Sequence, residues 1–103
     1  MLLTIEDHPE QGTVELHADR AGLDYFIGML TAMRDRALPP DIQARIGLDH
    51  DHFFSPAWGG DDLTDFVPLG VNGTGADGTI VHHLKVYKWP GTHAPPAETA
   101  EER

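Results

Sequence analysis

One stretch of this chain repeats its apolar residues at helical spacing: Leu23, Phe26, Ile27, Leu30 and Met33. That stripe predicts a helix over about residues 20–36, with Asp19 placed to cap its first turn. Leu38-Pro39-Pro40 must end it, because proline supplies no amide hydrogen and its ring collides with the preceding turn. A single helix cannot close a core alone, so the rest of the apolar surface has to come from strands.

Strand patterns flank the helix on both sides. Residues 2–6 place Leu3 and Ile5 on one face, His8-Pro9-Glu10-Gln11-Gly12 supplies a turn, and Val14 and Leu16 are expected inward over residues 13–17. This predicts a hairpin. After the prolines the period becomes two, with Ile42, Ala44, Ile46 and Leu48 on one face and Gln43, Arg45, Gly47 and Asp49 on the other. If that alternation continues, His50 and His52 extend the apolar face while Asp51 points away with Asp49. Residues 55–78 read as a long glycine-rich connection with a short helical turn over 61–66. Residues 79–89 form the last strand, with Ile80, His82, Leu84 and Val86 against Val81, His83, Lys85, Tyr87 and Trp89. The β-β-α-β-β order predicts an α+β fold: a small antiparallel sheet with the helix packed on one face. Residues 1–90 make one such domain. Residues 91–103 hold too few apolar side chains to pack and are expected to be a disordered acidic tail.

Charge narrows the partners. Seventeen acidic residues against seven basic ones give a net charge of −10 over 103 residues. Such a surface repels phosphate backbones and anionic lipid, so neither nucleic acid nor membrane is expected as a partner, whereas a basic protein is. There is no cysteine, which removes disulfides and thiolate metal sites. The opening residues lack the basic region of a signal peptide, and no apolar run reaches the ~20 residues of a membrane span. A cytoplasmic location is the expectation.

Several motifs invite a chemical reading. Gly73-Thr74-Gly75-Ala76-Asp77-Gly78 spells the dinucleotide fingerprint, but its glycines precede a strand instead of opening a helix, so it reads as a turn. His50 and His52, joined by His82 or His83, could share a metal with the aspartates behind them. Alternation turns those aspartates to the opposite face, and no ligand spacing with mechanical meaning is present. Hydrogen bonding of His50 and His52 to the 55–65 loop is the simpler expectation, and no metal or cofactor is assigned. Ser55, the one serine, lies beside Pro56 outside any nucleophile pattern. Asp61 and Asp62 could do acid–base work, but beside Gly60 they more simply start a helical turn. No catalytic residue is assigned and no enzyme is expected. Trp58 either plugs the open end of the core, as its large area favours, or stands exposed as an anchor. Val81, Tyr87 and Trp89 raise the same question on the last strand. Trp58, Asp61, Asp62 and Tyr87 are therefore the candidate partner-binding residues.

Taken together, "DHDHFFSPAWGGDDLTDF" and the later "IVHHLKVYKWP" resemble the family of bacterial polymorphic-toxin immunity proteins numbered thirty-two. Asp49, His50, His52, Pro56, Trp58, Gly60, Asp62, Leu63 and Thr64 fall on the family's first stretch. Val81, His83, Leu84 and Val86 fall on its second. The early strand and "DRAGLDYFIGMLTAM" also look like the family's opening, so the resemblance spans residues 1 to about 90. Phe53 and Phe54, in place of smaller apolar residues, depart from the pattern, as does a longer glycine insertion around 70–78. The resemblance implies a small cytoplasmic protein that binds and silences a toxin made by the same cell or its kin. Two other readings stand beside it: a metal-dependent enzyme or metal-binding module using His50, His52 and one of His82 or His83, and a homo-oligomeric domain without a toxin partner, pairing through the last strand.

Overall fold

The computed structural model describes residues 1–65 and 78–89. Strands β1 (Leu3–His8) and β2 (Thr13–Ala18) form the expected hairpin around a 3-10 turn at Pro9–Gln11. Its register sets Ile5 opposite Leu16 and Glu6 opposite Glu15. Leu3, Ile5, Val14 and Leu16 therefore share one face, and Thr4, Glu6, His8, Glu15 and His17 share the other. A two-residue strand, β4 (Thr79–Ile80), pairs with the other edge of β1, giving an antiparallel sheet in the order β2-β1-β4. The central strand is covered on both faces: Leu3, Thr4, Ile5, Glu6 and His8 are all buried. Val14 and Leu16, expected inward, are instead exposed, because β2 is the outer strand and its core-side face is left partly uncovered.

Helix α1 (Arg20–Asp35) starts as expected, with Asp19 Oδ1 accepting from the Gly22 amide at 2.8 Å and the Leu2 amide at 3.0 Å. Those two amides, Leu2's foremost, hold the Asp19 carboxyl below its ordinary value. The rotation of the helix differs from expectation. Gly22, Tyr25, Phe26, Met29 and Met33 face the protein, Leu30 is half-buried, and Leu23 and Ile27 are exposed at 46 % and 58 %. Apolar residues occupy too much of this helix's circumference for periodicity to pick the inward line. Close approach decides it, since a side chain at Gly22 would collide with the Leu2 carbonyl.

The third strand begins later than its alternation suggests. Residues 40–46 form a short helix, α2 (Pro40–Ile46), with no buried residue. Pro40 is pre-set for a first helical turn, Asp41 and Arg45 suit the two ends of the dipole, and no sheet face lies there to reward alternation. Strand β3 runs from Asp49 to Phe54 and restarts the period with opposite phase: Asp49 and Phe53 are buried, while His50 and His52 face outward.

The last strand is also divided. Ile80 pairs with β1, Val81 donates its amide to the Ile5 carbonyl at 2.8 Å, and β5 (His83–Lys88) then pairs with β3 in a second antiparallel sheet. The chain thus changes sheets across Val81 and His82, which turns Val81 toward the core instead of leaving it beside Tyr87. Leu3, Ile5, Phe53 and Leu63 form the buried centre, with Phe26 edge-on to Phe53 at 5.5 Å. The fold is α+β as expected, but among the described residues it has two small sheets in place of one and an added short helix. Residues 61–63 run as bends and 64–65 as irregular chain, instead of a helical turn. Residue 66, glycine-fingerprint positions 73–77 and the 91–103 tail lie outside the described residues; Gly78 immediately precedes β4.

Candidate partner-binding face

The "DHDH" strand sends alternate residues to opposite sides, and the inward ones fasten it to the helix. Arg36, at the end of α1, forks onto Asp49 through Nε at 2.8 Å and Nη2 at 2.6 Å, and Nη2 also reaches Asp51 at 2.9 Å. The Arg36 guanidinium outweighs burial and holds the Asp49 carboxyl below its usual range. Opposite Asp49 in the register, Lys88 donates to the carbonyls of Met33, Arg34 and Arg36 at 3.0, 2.8 and 2.7 Å. These are carbonyls at the C-terminus of α1, where a cation is favoured and acceptors lack helical partners.

The following loop is stitched back onto the same strand. Pro56 opens a 3-10 turn through Trp58, and Gly60 then passes so close to Phe54 that any side chain would strike it. The amides of Asp62 and Leu63 both donate to the Phe54 carbonyl at 3.1 Å. Asp62 in turn accepts from the Phe54 amide at 3.2 Å and from the Tyr25 hydroxyl at 2.6 Å. Burial, followed by the Asp62 carboxylate, pushes the Tyr25 hydroxyl up to about 12. Leu63 fills the core, and Thr64 exchanges backbone and hydroxyl hydrogen bonds with Leu3 and Thr4. Asp65 accepts the Ala57 amide at 2.8 Å.

The outward residues form a row of rings. Tyr87 lies 5.1 Å from His50, His50 4.8 Å from His52, and His52 4.9 Å from His83 (ring centroids). His83 stacks on Phe54 at 4.3 Å, and Trp58 lies 6.1 Å from both His82 and His83. From His83 to Tyr87 the row spans four strand residues, about 13 Å. His52 Nδ1 and His83 Nε2 are 2.7 Å apart, so one ring donates to the other. Desolvation beneath these rings, followed by His50, His83 and Lys85, lowers the His52 pKa below the ordinary histidine value. Trp58 is 60 % exposed and Tyr87 49 %.

Each sequence candidate has a definite place in this arrangement. Trp58 does not plug the core, because Leu63 and Phe53 already fill that end. Asp61 is exposed beside it, whereas Asp62 is engaged by Tyr25 and Phe54. Of the four histidines weighed as a metal set, His52 and His83 meet, His50 turns Nδ1 to the Leu48 carbonyl at 2.9 Å, and His82 turns to Ser55 at 2.7 Å and Asp65 at 3.2 Å. The hydrogen bond to the 55–65 loop expected of His50 and His52 is made by His82. Sequence reasoning placed neither Phe54 nor His83 among the partner-binding residues, and it did not single out Arg36. The Phe53-Phe54 doublet held a signal for the first, since neighbouring strand residues cannot both point inward.

Among the described residues no helix is long and apolar enough to cross a membrane. No curated protein and no solved structure matches the chain. The family model for immunity protein 32 matches residues 13–86, a span that takes in β2, α1, the 49–64 motif and most of β5. With most of its length matched, including the whole first motif stretch and residues 80–86 of the second, the chain belongs to the immunity protein 32 family.

Proposed function

We propose that this chain is a non-catalytic cytoplasmic inhibitor that binds a cognate bacterial toxin through the outer face of β3 and β5. The supporting observation is the continuous row of rings from Tyr87 through His50, His52, His83 and Phe54 to the exposed Trp58. Exposed aromatic side chains on a rigid strand pair lose little conformational entropy on docking and bury large areas, which suits them as binding anchors. Asp61 and Asp62 stand beside Trp58, and the net charge of −10 favours a basic toxin surface and fast, salt-sensitive association. Because Asp62 also holds the loop, Asp61→Lys is the cleaner probe of that steering.

The test is co-expression with the toxin domain encoded beside this gene, followed by pull-down and rescue of growth. A complex weakened by Trp58→Ala and Tyr87→Ala supports the reading. Two folded proteins that fail to associate would end it.

A homodimer is the second reading. Among the described residues β5 pairs on one side, with β3, and a strand of a second copy would fit its other edge. Sedimentation of the protein alone and with toxin separates the two.

A further inference from the structure

The other histidine row of the molecule does not belong to the partner-binding face. We propose that the β1–β2 hairpin holds a divalent cation of the zinc class between Glu6, His8, Glu15 and His17. The sequence carries Glu-x-His twice, as Glu6-Asp7-His8 and Glu15-Leu16-His17, and a period of two puts each glutamate and histidine on one strand face. The hairpin register then brings the two faces together with Glu6 directly opposite Glu15.

The donor atoms converge. Glu6, His8 and Glu15 each offer one ligand atom within 4.8 Å of the others. His8 Nε2 lies 3.0 Å from Glu6 Oε1 and 3.5 Å from Glu15 Oε1. His17 Nε2 closes the ring, 3.0 Å from Glu15 Oε1 and 3.8 Å from Glu6 Oε1. Nitrogen and oxygen alternate around this ring, with edges of 3.0 to 3.8 Å. Ligands about 2.0–2.1 Å from a tetrahedral zinc stand roughly 3.3 Å apart, so a small contraction closes the set on an ion.

Charge and burial point the same way. Like charges directly opposite on paired strands repel, and Glu6 and His8 are fully buried while Glu15 and His17 are half-buried. A dication between the carboxylates would offset their mutual repulsion while both imidazoles ligate it through nitrogen. Two imidazoles with two carboxylates suit zinc and its d-block neighbours better than calcium or magnesium, which favour all-oxygen sites. The site lies on the first sheet, whereas the toxin-binding reading uses the second, so the two stand or fall separately.

The experiment is titration of the untagged, chelator-treated full chain with Zn²⁺ alone, followed by calorimetry and thermal melting, with Co²⁺ absorption reporting coordination geometry. One ion per chain, a higher Tm with zinc and a tetrahedral Co²⁺ spectrum are expected. Glu15→Gln and His17→Asn, at half-buried positions, should each weaken binding by at least about tenfold. His52→Asn should leave it unchanged. Absence of both heat and stabilisation in the parent protein would overturn the proposal without recourse to any variant. So would binding that survives the Glu15→Gln/His17→Asn pair and is lost in His52→Asn.

Discussion

The two antiparallel strand pairs of this protein each carry a row of histidines and give them opposite surroundings. On β1 and β2, His8 and His17 sit against carboxylates at 3.0 Å under cover. On β3 and β5, His50, His52 and His83 sit against other rings toward solvent. Local alternation is the same in both. What differs is the far side of each sheet. The central strand β1 is buried on both faces, so a polar side chain there must find a partner or lose its hydration uncompensated. The β3–β5 pair packs one face on the core and leaves the other open, where aromatic rings and imidazoles can be displayed. A count of histidines therefore says little about metal or binding chemistry until the covered face is known.

The strongest way to break this comparison is at the residue that anchors the open pair to the core. Phe53→Ala should cost about 3–5 kcal/mol in denaturant unfolding, the range for a buried phenylalanine. A cost under about 1 kcal/mol would mean that the pair does not pack as described. Trp58→Ala probes the opposite side of the same strand pair. Affinity for the toxin should fall by ~2 kcal/mol or more, while stability stays within about 0.5 kcal/mol of the parent. Equal losses in both measurements would make Trp58 a structural residue.

Asp49→Asn should cost about 1–3 kcal/mol, through loss of the charge-assisted fork with Arg36. Because the Asp49 pKa is depressed in the fold, its contribution is complete above the ordinary carboxylate pKa and is lost as pH falls through the folded value. The acid limb of the stability–pH curve should therefore shrink in the variant. The smallest effect concerns His52. Its pKa is lowered in the fold, so below about 6.5 the unfolded chain binds the proton more readily and stability declines as pH falls. His52→Asn should flatten that slope between pH 7 and 5. An unchanged slope would show that the outer histidines feel no neighbouring rings or charges.

Much of this layout was legible before any tertiary contact was considered. The hairpin, the Asp19-capped helix, the strand character around residues 50–54 and 83–88, and the α+β class all follow from periods, caps and turn residues. The 49–64 motif marked the right segment as well, although it did not separate the residues that hold the loop from those that face solvent. Asp49, Gly60, Asp62, Leu63 and Thr64 hold it, while His50, His52 and Trp58 face out.

Most misses concerned phase or partner; residues 42–48, which alternate with a period of two and fold into the helix Pro40–Ile46, are a miss of period. The helix turns Gly22 inward because Leu2 crosses it there, a contact 20 residues away in sequence order and absent from any local pattern. Residues 42–48 alternate like a strand, but no sheet is available to them and the two prolines favour a helical start. The 79–89 segment has one continuous alternation, yet Ile5 takes its first part and Phe53 its last, so Val81 turns in. The amino-acid sequence by itself determined where the chain can be helical or extended and how much charge it carries, since those are properties of neighbouring residues. Which side of each element meets the core, and so which histidines meet carboxylates and which meet open solvent, was decided by tertiary structure, because burial exists only once distant segments have packed.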